Sequence, residues 1–465
     1  MIQKIKIKYM RIRNQSAKGF SMIIILTLCF CPSIFSQIYL QKYIDEGLEN
    51  NIVMKQKNIG LEKSLLALKE ARSWFYPSAA LTGDYTWAEG GRTIPFPIGD
   101  LLNPIYSTLN QLTNSQSFPQ VENMEIQLMP KDFYDARIRV AYPVISPERH
   151  YNYQIKKDEV RMAEYEIETY KQELIRDIET AYYNYCLAVD AKKIFESALG
   201  LVDKNLQINR SLVLNGKGLQ ANVLRAESEA EQIRSRLRES ENLRINAKSW
   251  FNFLLNKSLS DTVIYEFVQL PEDLNRAVAT EPVVTNRSEL KQLGTALTIR
   301  QSLLEMNKRY AIPKVYTFVD LGSQAFDWEF NSKSRYMLAG VQVNVPIFSG
   351  LRNQAKISTS KLEISELELT RENTAKQLSV AAGVSRNNLS TAIVNHGSSL
   401  KQYESARAYF HLIETGYSEG VNSLIEFMDA RNQLTTSEIQ VKLNWYKVLS
   451  AYSDLKRQTA SSSVQ

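Results

Sequence analysis

The segment from residue 147 to residue 214 constrains the fold more than any other feature of the sequence. After Pro147 it contains no proline and one glycine, Gly200. Its apolar residues recur in alternating steps of four and three, which is the repeat of a coiled-coil seam with one polar interruption. The seam consists of Leu174, Ile178, Ala181, Tyr185, Ala188, Lys192, Phe195, Leu199, Val202 and Leu206. With Ser146 as N-cap and Pro147 as first residue, we expect a helix about 100 Å long, which compact domains rarely contain.

A second seam occurs twice, at a constant separation of 204 residues. Its first copy follows the turn Asn215-Gly216-Lys217-Gly218, and its second copy follows Gly420. The paired positions are Val223 and Phe427, Ala226 and Ala430, Ala230 and Leu434, Ile233 and Ser437, and Leu237 and Val441. This correspondence predicts an internal duplication, with a first repeat over residues 37–256 and a second over residues 286–456. Each repeat should comprise a rising helix, a pair of strands, a long helix and a shorter returning helix. The first rising helix is expected from Tyr39 to Phe75, and the first returning helix from about Leu219 to Asn256.

Strand signals lie between the helices of each repeat. Apolar and polar residues alternate near 79–87 and 134–143 in the first repeat, and at 315–321 and 336–346 in the second. Segments of about ten residues with one apolar and one polar face suit a lipid-facing barrel, and they also suit a sheet packed on a soluble core. Four strands cannot close a membrane barrel, so a barrel would have to be shared between chains. The proline-rich residues 88–133 are expected to form an extracellular loop.

The N-terminus predicts export. Six basic residues precede the apolar run from Met22 to Phe30, and residues 1–36 have the pattern of a signal peptide cleaved near Ser36. Neither Cys29 nor Cys31 follows a small residue, which argues against a lipid anchor. Removing six basic and no acidic residues lowers the net charge from +6 to zero, so nucleic acid is not an expected partner. Export and a long helix together fit a structure that crosses the periplasm, and the strand pairs then favour an outer-membrane barrel over a soluble sheet.

The order and spacing of several short motifs resemble the TolC family of outer-membrane factors. The resemblance runs from about Gln37 to Lys456. Its motifs are residues 44–51, Ala71 to Pro77, Asn286-Arg287-Ser288-Glu289-Leu290, residues 340–350, Gly416-Tyr417-Ser418-Glu419-Gly420 and Phe427-Met428-Asp429-Ala430. The resemblance implies a homotrimer in the outer membrane, with a twelve-stranded barrel continued by a coiled-coil helical tunnel. It also implies a periplasmic adaptor and an inner-membrane pump as partners, in efflux or type I export. The cargo, whether drugs, metal ions or polypeptides, would be chosen by the pump and adaptor.

The resemblance further assigns roles to individual residues. Glu426 and Asp429, three apart on one helical face, would form the pore constriction, and Arg225 could neutralise Asp429. Tyr417 would tie the two coiled coils together, with Asn222 as its expected partner. A second tie, at the position of Asn422, would be missing or altered. The strand-to-helix junctions are expected at Pro143, Pro147, Pro346 and Gly350, and residues 257–285, with the strand-like Val263 to Val268, should form part of an equatorial belt. The remaining residues 457–465 should be a tail.

Glycines at the tip can be assigned on their chemistry. Gly216, Gly218 and Gly420 are expected to allow the helix-to-helix turns, because glycine tolerates positive φ.

Enzymatic functions have little support in the sequence. His150, His396 and His411 are isolated, and residues 216–218 lack the spacing of a phosphate-binding loop. No catalytic residue, metal or cofactor is therefore expected. A periplasmic or surface coiled-coil structural protein remains the alternative to a channel, and it accounts for the seams but not for strands placed twice in register with them.

Overall fold

The protein is represented by a computed structural model that describes residues 38–129 and 131–460. The predicted signal peptide with its cleavage near Ser36, and the end of the predicted tail, lie outside the described residues. The helices are α1 (Ile38–Asn50), α2 (Ile52–Ser73), α3 (Ile98–Thr113), α4 (Pro147–Leu214), α5 (Gln220–Leu254), α6 (Leu274–Ala279), α7 (Ser288–Lys308), α8 (Arg352–Ser418) and α9 (Leu424–Thr459). The strands are β1 (Ser78–Thr86), β2 (Thr93–Phe96), β3 (Met124–Gln127), β4 (Phe133–Ile145), β5 (Lys314–Phe326) and β6 (Arg335–Asn344).

Two long antiparallel helix pairs form the body of the molecule. The 68 residues of α4 pack against α5, and the 67 residues of α8 pack against α9, so each long helix extends about 100 Å. The predicted seam of α4 faces inward, with Leu174 and Ile178 almost completely buried. At the polar interruption, Lys192 forms an ion pair with Glu241 of α5 at 3.0 Å. The expected fold of helical hairpins joined to strands is thus confirmed.

The duplication extends to individual hydrogen bonds in the two helix-to-helix turns. At the end of α4, the Lys217 N–H donates to the Leu212 carbonyl at 2.8 Å. At the end of α8, the Val421 N–H donates to the Gly416 carbonyl at 2.7 Å, and both partners lie 204 residues further along the chain. The same backbone geometry therefore closes both hairpins, as an internal repeat predicts.

Strands from the two repeats join in one antiparallel sheet of order β1-β4-β5-β6. In its register Leu81 lies opposite Ile138, and Ile138 lies opposite Leu321. The central contact therefore pairs the second strand of the first repeat with the first strand of the second. Strands β1 and β6 each have one edge without a partner in the described chain. This sheet is the candidate wall of a channel.

The largest hydrophobic cluster lies where residues 257–285 cross the helices. It joins α1, α4, α5 and α9 to Val263 and Val268. The expected strand at 263–268 is wrong, because this segment has no strand neighbour in the described structure. Tyrosine hydroxyls form hydrogen bonds with the backbone of this segment instead of a neighbouring strand. Tyr185 donates to the Val263 carbonyl at 2.9 Å, and Tyr182 both donates to the Ile264 carbonyl and accepts from the Glu266 N–H, each at 3.0 Å.

One further expectation needs correction. The rising helix is interrupted at Asn51, whose side chain accepts from Val53 N–H and caps α2 while its amide donates to the Leu254 carbonyl at 2.8 Å. The predicted loop between β1 and β4 contains the β2–β3 hairpin and α3 within its described residues 88–129. Pro104 lies inside α3, and because it has no N–H the helical hydrogen bond to the Asp100 carbonyl is missing there.

Candidate functional site

The four-stranded sheet has an apolar face, most of whose side chains are exposed. Neighbouring strands contribute apolar side chains that lie opposite one another in register. These exposed residues are Leu81, Tyr85, Ile138, Val140, Tyr142, Val319, Leu321, Met337, Val341 and Val343. An apolar face of this extent on a water-soluble protein would cost free energy, because burial of such side chains is favourable. The face therefore calls for an apolar environment.

The opposite face of the sheet carries paired charges. Arg139 binds both carboxylate oxygens of Asp320 at 2.7 Å each, and its guanidinium lies over the ring of Phe318 at 4.7 Å. Arg137 forms ion pairs with Asp135 and with Asp84 on the next strand. Polar groups on one face and apolar groups on the other reproduce the pattern of a barrel with a watery interior and a lipid-facing exterior.

Aromatic side chains gather at the loop end of the apolar face. The indole of Trp328 stacks on Tyr85 at 5.1 Å and on Tyr134 at 5.6 Å between ring centroids. Asp327 and Trp328 both have positive φ in the turn between β5 and β6. Aromatic residues are enriched where a barrel meets the membrane–water interface.

A membrane-spanning helix and a metal site are both absent from the described residues. Among the helices within residues 38–129 and 131–460, none combines the length and apolar character needed to cross a membrane. Over the same residues, no group of three or more His, Cys, Asp or Glu could hold a metal ion.

The strand-to-helix junctions differ between the repeats. In the first, β4 has an irregularity between Pro143 and Ile145, and Pro147 begins α4 directly. Ser146 occupies the N-cap position, but its side chain makes no capping hydrogen bond. In the second, the chain turns after Pro346 through Gly350, which has a φ of 62°, before α8 begins.

The tip of the molecule consists of the two turns and the residues that join them. Gly216 and Gly420 have positive φ values of 68° and 77°, as expected for turn glycines. Gly218 does not, and the reason for its glycine is different: a Cβ there would lie 2.9 Å from both the Leu212 side chain and the Val213 nitrogen. Close approach of two chain segments therefore requires glycine at this position.

The tie between the coiled coils uses a partner that the sequence did not indicate. The Tyr417 hydroxyl accepts a hydrogen bond from the Asn209 amide of α4 at 3.1 Å, so the expectation of Asn222 is wrong. Its ring stacks on Phe427 of α9 at 4.9 Å. Tyr417 thus contacts α4 and α9 at once. Asn209 lies on a buried helix face whose polar residues carry no distinctive motif, which is why the pattern did not reveal it.

The two candidate pore acids are both exposed, but they have different surroundings. Glu426 accepts from the Ser423 N–H at 2.7 Å in a capping box that begins α9, and this hydrogen bond lowers the pKa of Glu426. Asn422 also donates to it, at 3.4 Å, so Asn422 makes a local contact instead of a second tie. Asp429 lies at the end of a polar groove of about 1160 Å³ between α8 and α9. The ion pairs among the described residues do not include one between Arg225 and Asp429, and neutralisation of Asp429 by Arg225 stays a prediction.

A buried ion pair near the tip was not predicted from the sequence. Arg431 of α9 is 1% exposed and donates to Glu229 of α5 at 2.5 Å. Burial lowers the pKa of Arg431. Its Nε and Nη1 have no hydrogen-bond partner in the described part of the chain. Arg431 and Glu229 each lie next to a residue of the second seam. Only their opposite charges, 202 residues apart in the sequence, could have suggested that they form a pair.

Comparison with known proteins covers the sequence and the fold separately. The model of a family described as outer membrane efflux protein matches residues 284–461. Those residues belong to the outer membrane efflux protein family. No curated protein sequence matches the chain.

Solved structures extend the efflux-protein fold to the first repeat. The outer membrane channel CmeC of Campylobacter jejuni is 15% identical with a TM-score of 0.73, over 91% of this chain and 85% of that one. VceC, an outer membrane protein of Vibrio cholerae, is 14% identical with a TM-score of 0.71, over 90% and 95% of the two chains. The open state of the MtrE outer membrane channel of Neisseria gonorrhoeae is 14% identical with a TM-score of 0.70, over 90% and 88%. The whole described chain therefore has the efflux-protein fold.

Proposed function

We propose that this chain is the outer-membrane channel of a tripartite efflux or type I export system. The observation that carries the proposal is the four-stranded sheet, whose exposed face is apolar and whose other face bears paired charges. Strands of about ten residues, tilted by about 40°, cover roughly the 25 Å of an outer membrane's apolar layer. The family match and the fold support the same function.

Because the sheet has two free edges, each chain needs a neighbouring copy at each edge, and we propose a homotrimer. Unpaired N–H and C=O groups in lipid are costly, so β1 of one copy would pair with β6 of the next. Three copies of four strands give a twelve-stranded barrel. The helix pairs would then continue it as a tunnel through the periplasm, with the two turns at its far end.

The pore constriction is proposed at that far end. Asp429 and Glu426 of three chains would place six carboxylates around one axis, where like charges attract cations. Tyr417 and Asn209 would hold the two helix pairs together in the resting state. A periplasmic adaptor and an inner-membrane pump would be the partners at this end, and no catalytic step is part of the function.

Conductance in planar bilayers tests this function. The purified mature chain should insert spontaneously and conduct ions with a preference for cations, and millimolar divalent cations should block it from the side of the tip. A periplasmic coiled-coil structural protein would leave the bilayer silent. Absence of conductance from protein that is folded by circular dichroism would therefore refute the channel.

A further inference from the structure

Helix α3, between β1 and β4, presents its apolar side chains outward. Leu101, Ile105 and Leu112 lie along one stripe and are 64%, 54% and 79% exposed. Their spacings of four and seven residues place them on one face of the helix. A helix that faced water alone would show the reverse arrangement.

The polar face of α3 is occupied by its own loop. The Asn103 side chain accepts from the Val121 N–H at 2.8 Å and donates to the Val121 carbonyl at 2.9 Å. Seven residues further along α3, the Asn110 side chain accepts from the Phe118 N–H at 3.0 Å and donates to the Phe118 carbonyl at 2.7 Å. Each asparagine thus replaces a strand neighbour for one residue of the segment 118–121.

Further contacts press this segment onto the helix. Asn123 donates to the Asp100 carboxylate at 3.0 Å, and the rings of Tyr106 and Phe118 pack at 5.8 Å. A Cβ on Gly99 would lie 2.3 Å from the Val121 carbonyl oxygen, so only glycine allows the approach. The loop is therefore a small folded unit that fixes its apolar stripe outward.

We propose that the stripe of α3 packs against the same stripe in the other copies of this chain and forms a cap over the outer mouth of the barrel. This inference rests on the proposed trimeric channel. Residues 88–129 carry four acidic residues and one basic residue, a net charge of −3. An anionic lipid surface repels such a segment, so the membrane surface is disfavoured as the occupant.

The dimensions of the mouth make the contact between copies possible. Twelve strands about 4.8 Å apart and tilted by about 40° close into a ring about 24 Å across. The 16 residues of α3 extend about 24 Å. If three such helices incline over a mouth of this width, they meet near its axis. Their apolar stripes then pack against one another and are removed from water.

Disulfide or short bismaleimide crosslinking of the full mature protein in detergent tests the cap. The native Cys186 is buried and will not react readily. We expect Ile105→Cys to give crosslinked pairs on denaturing gels at least about fivefold more efficiently than Gln116→Cys. Gln116 is a matched control because it is exposed in the same loop but lies outside α3.

A second variant measures the consequence for conduction. Combined Leu101→Ser, Ile105→Ser and Leu112→Ser should raise single-channel conductance at least about twofold, because the asparagine contacts keep the loop folded while the copies separate. Equal crosslinking at positions 105 and 116 in an intact trimer would overturn the cap. So would protection of Ile105→Cys from a water-soluble maleimide in liposomes but not in detergent, which would indicate lipid as the occupant. A monomer by light scattering would instead overturn the trimeric channel itself.

Discussion

At the scale of single residues, buried polar groups hold the two helix pairs together. The pair formed by Arg431 and Glu229 connects α9 to α5, and Tyr417 connects α8 to α4 through Asn209. These groups lie among apolar side chains, where an unpaired charge is much more costly than a paired one. Removing one partner should therefore disturb the tip more than removing both.

Arg431 provides the sharpest case. Arg431→Met should lower the free energy of unfolding by about 3 kcal/mol, because it leaves Glu229 buried without its counter-ion. The double variant Arg431→Met with Glu229→Met should recover most of that loss. Thermal unfolding in detergent of both single variants and the double variant measures the coupling. Additive losses would show that the two side chains do not depend on each other.

The two candidate pore acids can be separated by their surroundings. Asp429→Asn should reduce cation preference without affecting stability, whereas Glu426→Ala should also weaken the cap of α9 by about 1 kcal/mol. Ser423→Ala is the matched control, since it weakens the cap but keeps both carboxylates. Reversal potentials in a salt gradient give the selectivity. Full cation preference in a variant lacking both acids would contradict their assignment to the pore.

His396 of α8 should make stability depend on pH. It is buried against Trp445 of α9, its ring centroid 5.3 Å from the indole, and burial lowers its pKa below the ordinary 6.5. The folded protein therefore favours the neutral ring, so its stability should be complete above about pH 6.5 and decline as the pH falls below that value. His396→Phe should remove this part of the decline, as measured by thermal unfolding between pH 7.5 and 5. An identical pH profile in the variant would count against the proposed cause.

At the scale of elements, the periodic parts of the chain could be predicted and the exceptions could not. The seam of α4 and the alternation in β4 depend on one local rule each, and the structure follows both. The break at Asn51 depends on a hydrogen bond from Tyr170, 119 residues away, and the extended path of residues 263–268 depends on one from Tyr182 to Ile264, 82 residues away. Sequence spacing carries no signal for such contacts.

The candidate site shows the same division. Tip glycines and exposed acids could be located because their motifs are local. The pairs Asn209 with Tyr417 and Glu229 with Arg431 join the two repeats, and their members are 208 and 202 residues apart. Only the packing of one helix pair on the other defines them.

Two glycines should respond in opposite directions to alanine. Gly420→Ala should destabilise the tip by about 1 kcal/mol, because an L residue is strained at a φ of 77°. Gly200→Ala should stabilise α4 by about 0.5–1 kcal/mol, since a Cβ there meets no atom within 4 Å and alanine favours the helix. Thermal unfolding of the two variants gives the comparison. Destabilisation by Gly200→Ala would show that this part of α4 is covered in the assembled protein.

At the scale of the whole molecule, polarity is distributed as in a barrel that separates lipid from water. The sheet exposes its apolar face and pairs the charges on its other face, and it continues directly into helices about 100 Å long. A single chain leaves β1 and β6 with free edges. The account therefore requires that the functional unit contain several chains.

The number of chains in the detergent-solubilised protein tests this requirement most directly. Light scattering coupled to size-exclusion chromatography, corrected for bound detergent, gives the protein mass without reference to shape. We predict a mass of three mature chains that persists on dilution, because the strand edges of each copy are paired with those of its neighbours. A folded, monodisperse monomer would contradict the shared barrel, and with it the channel.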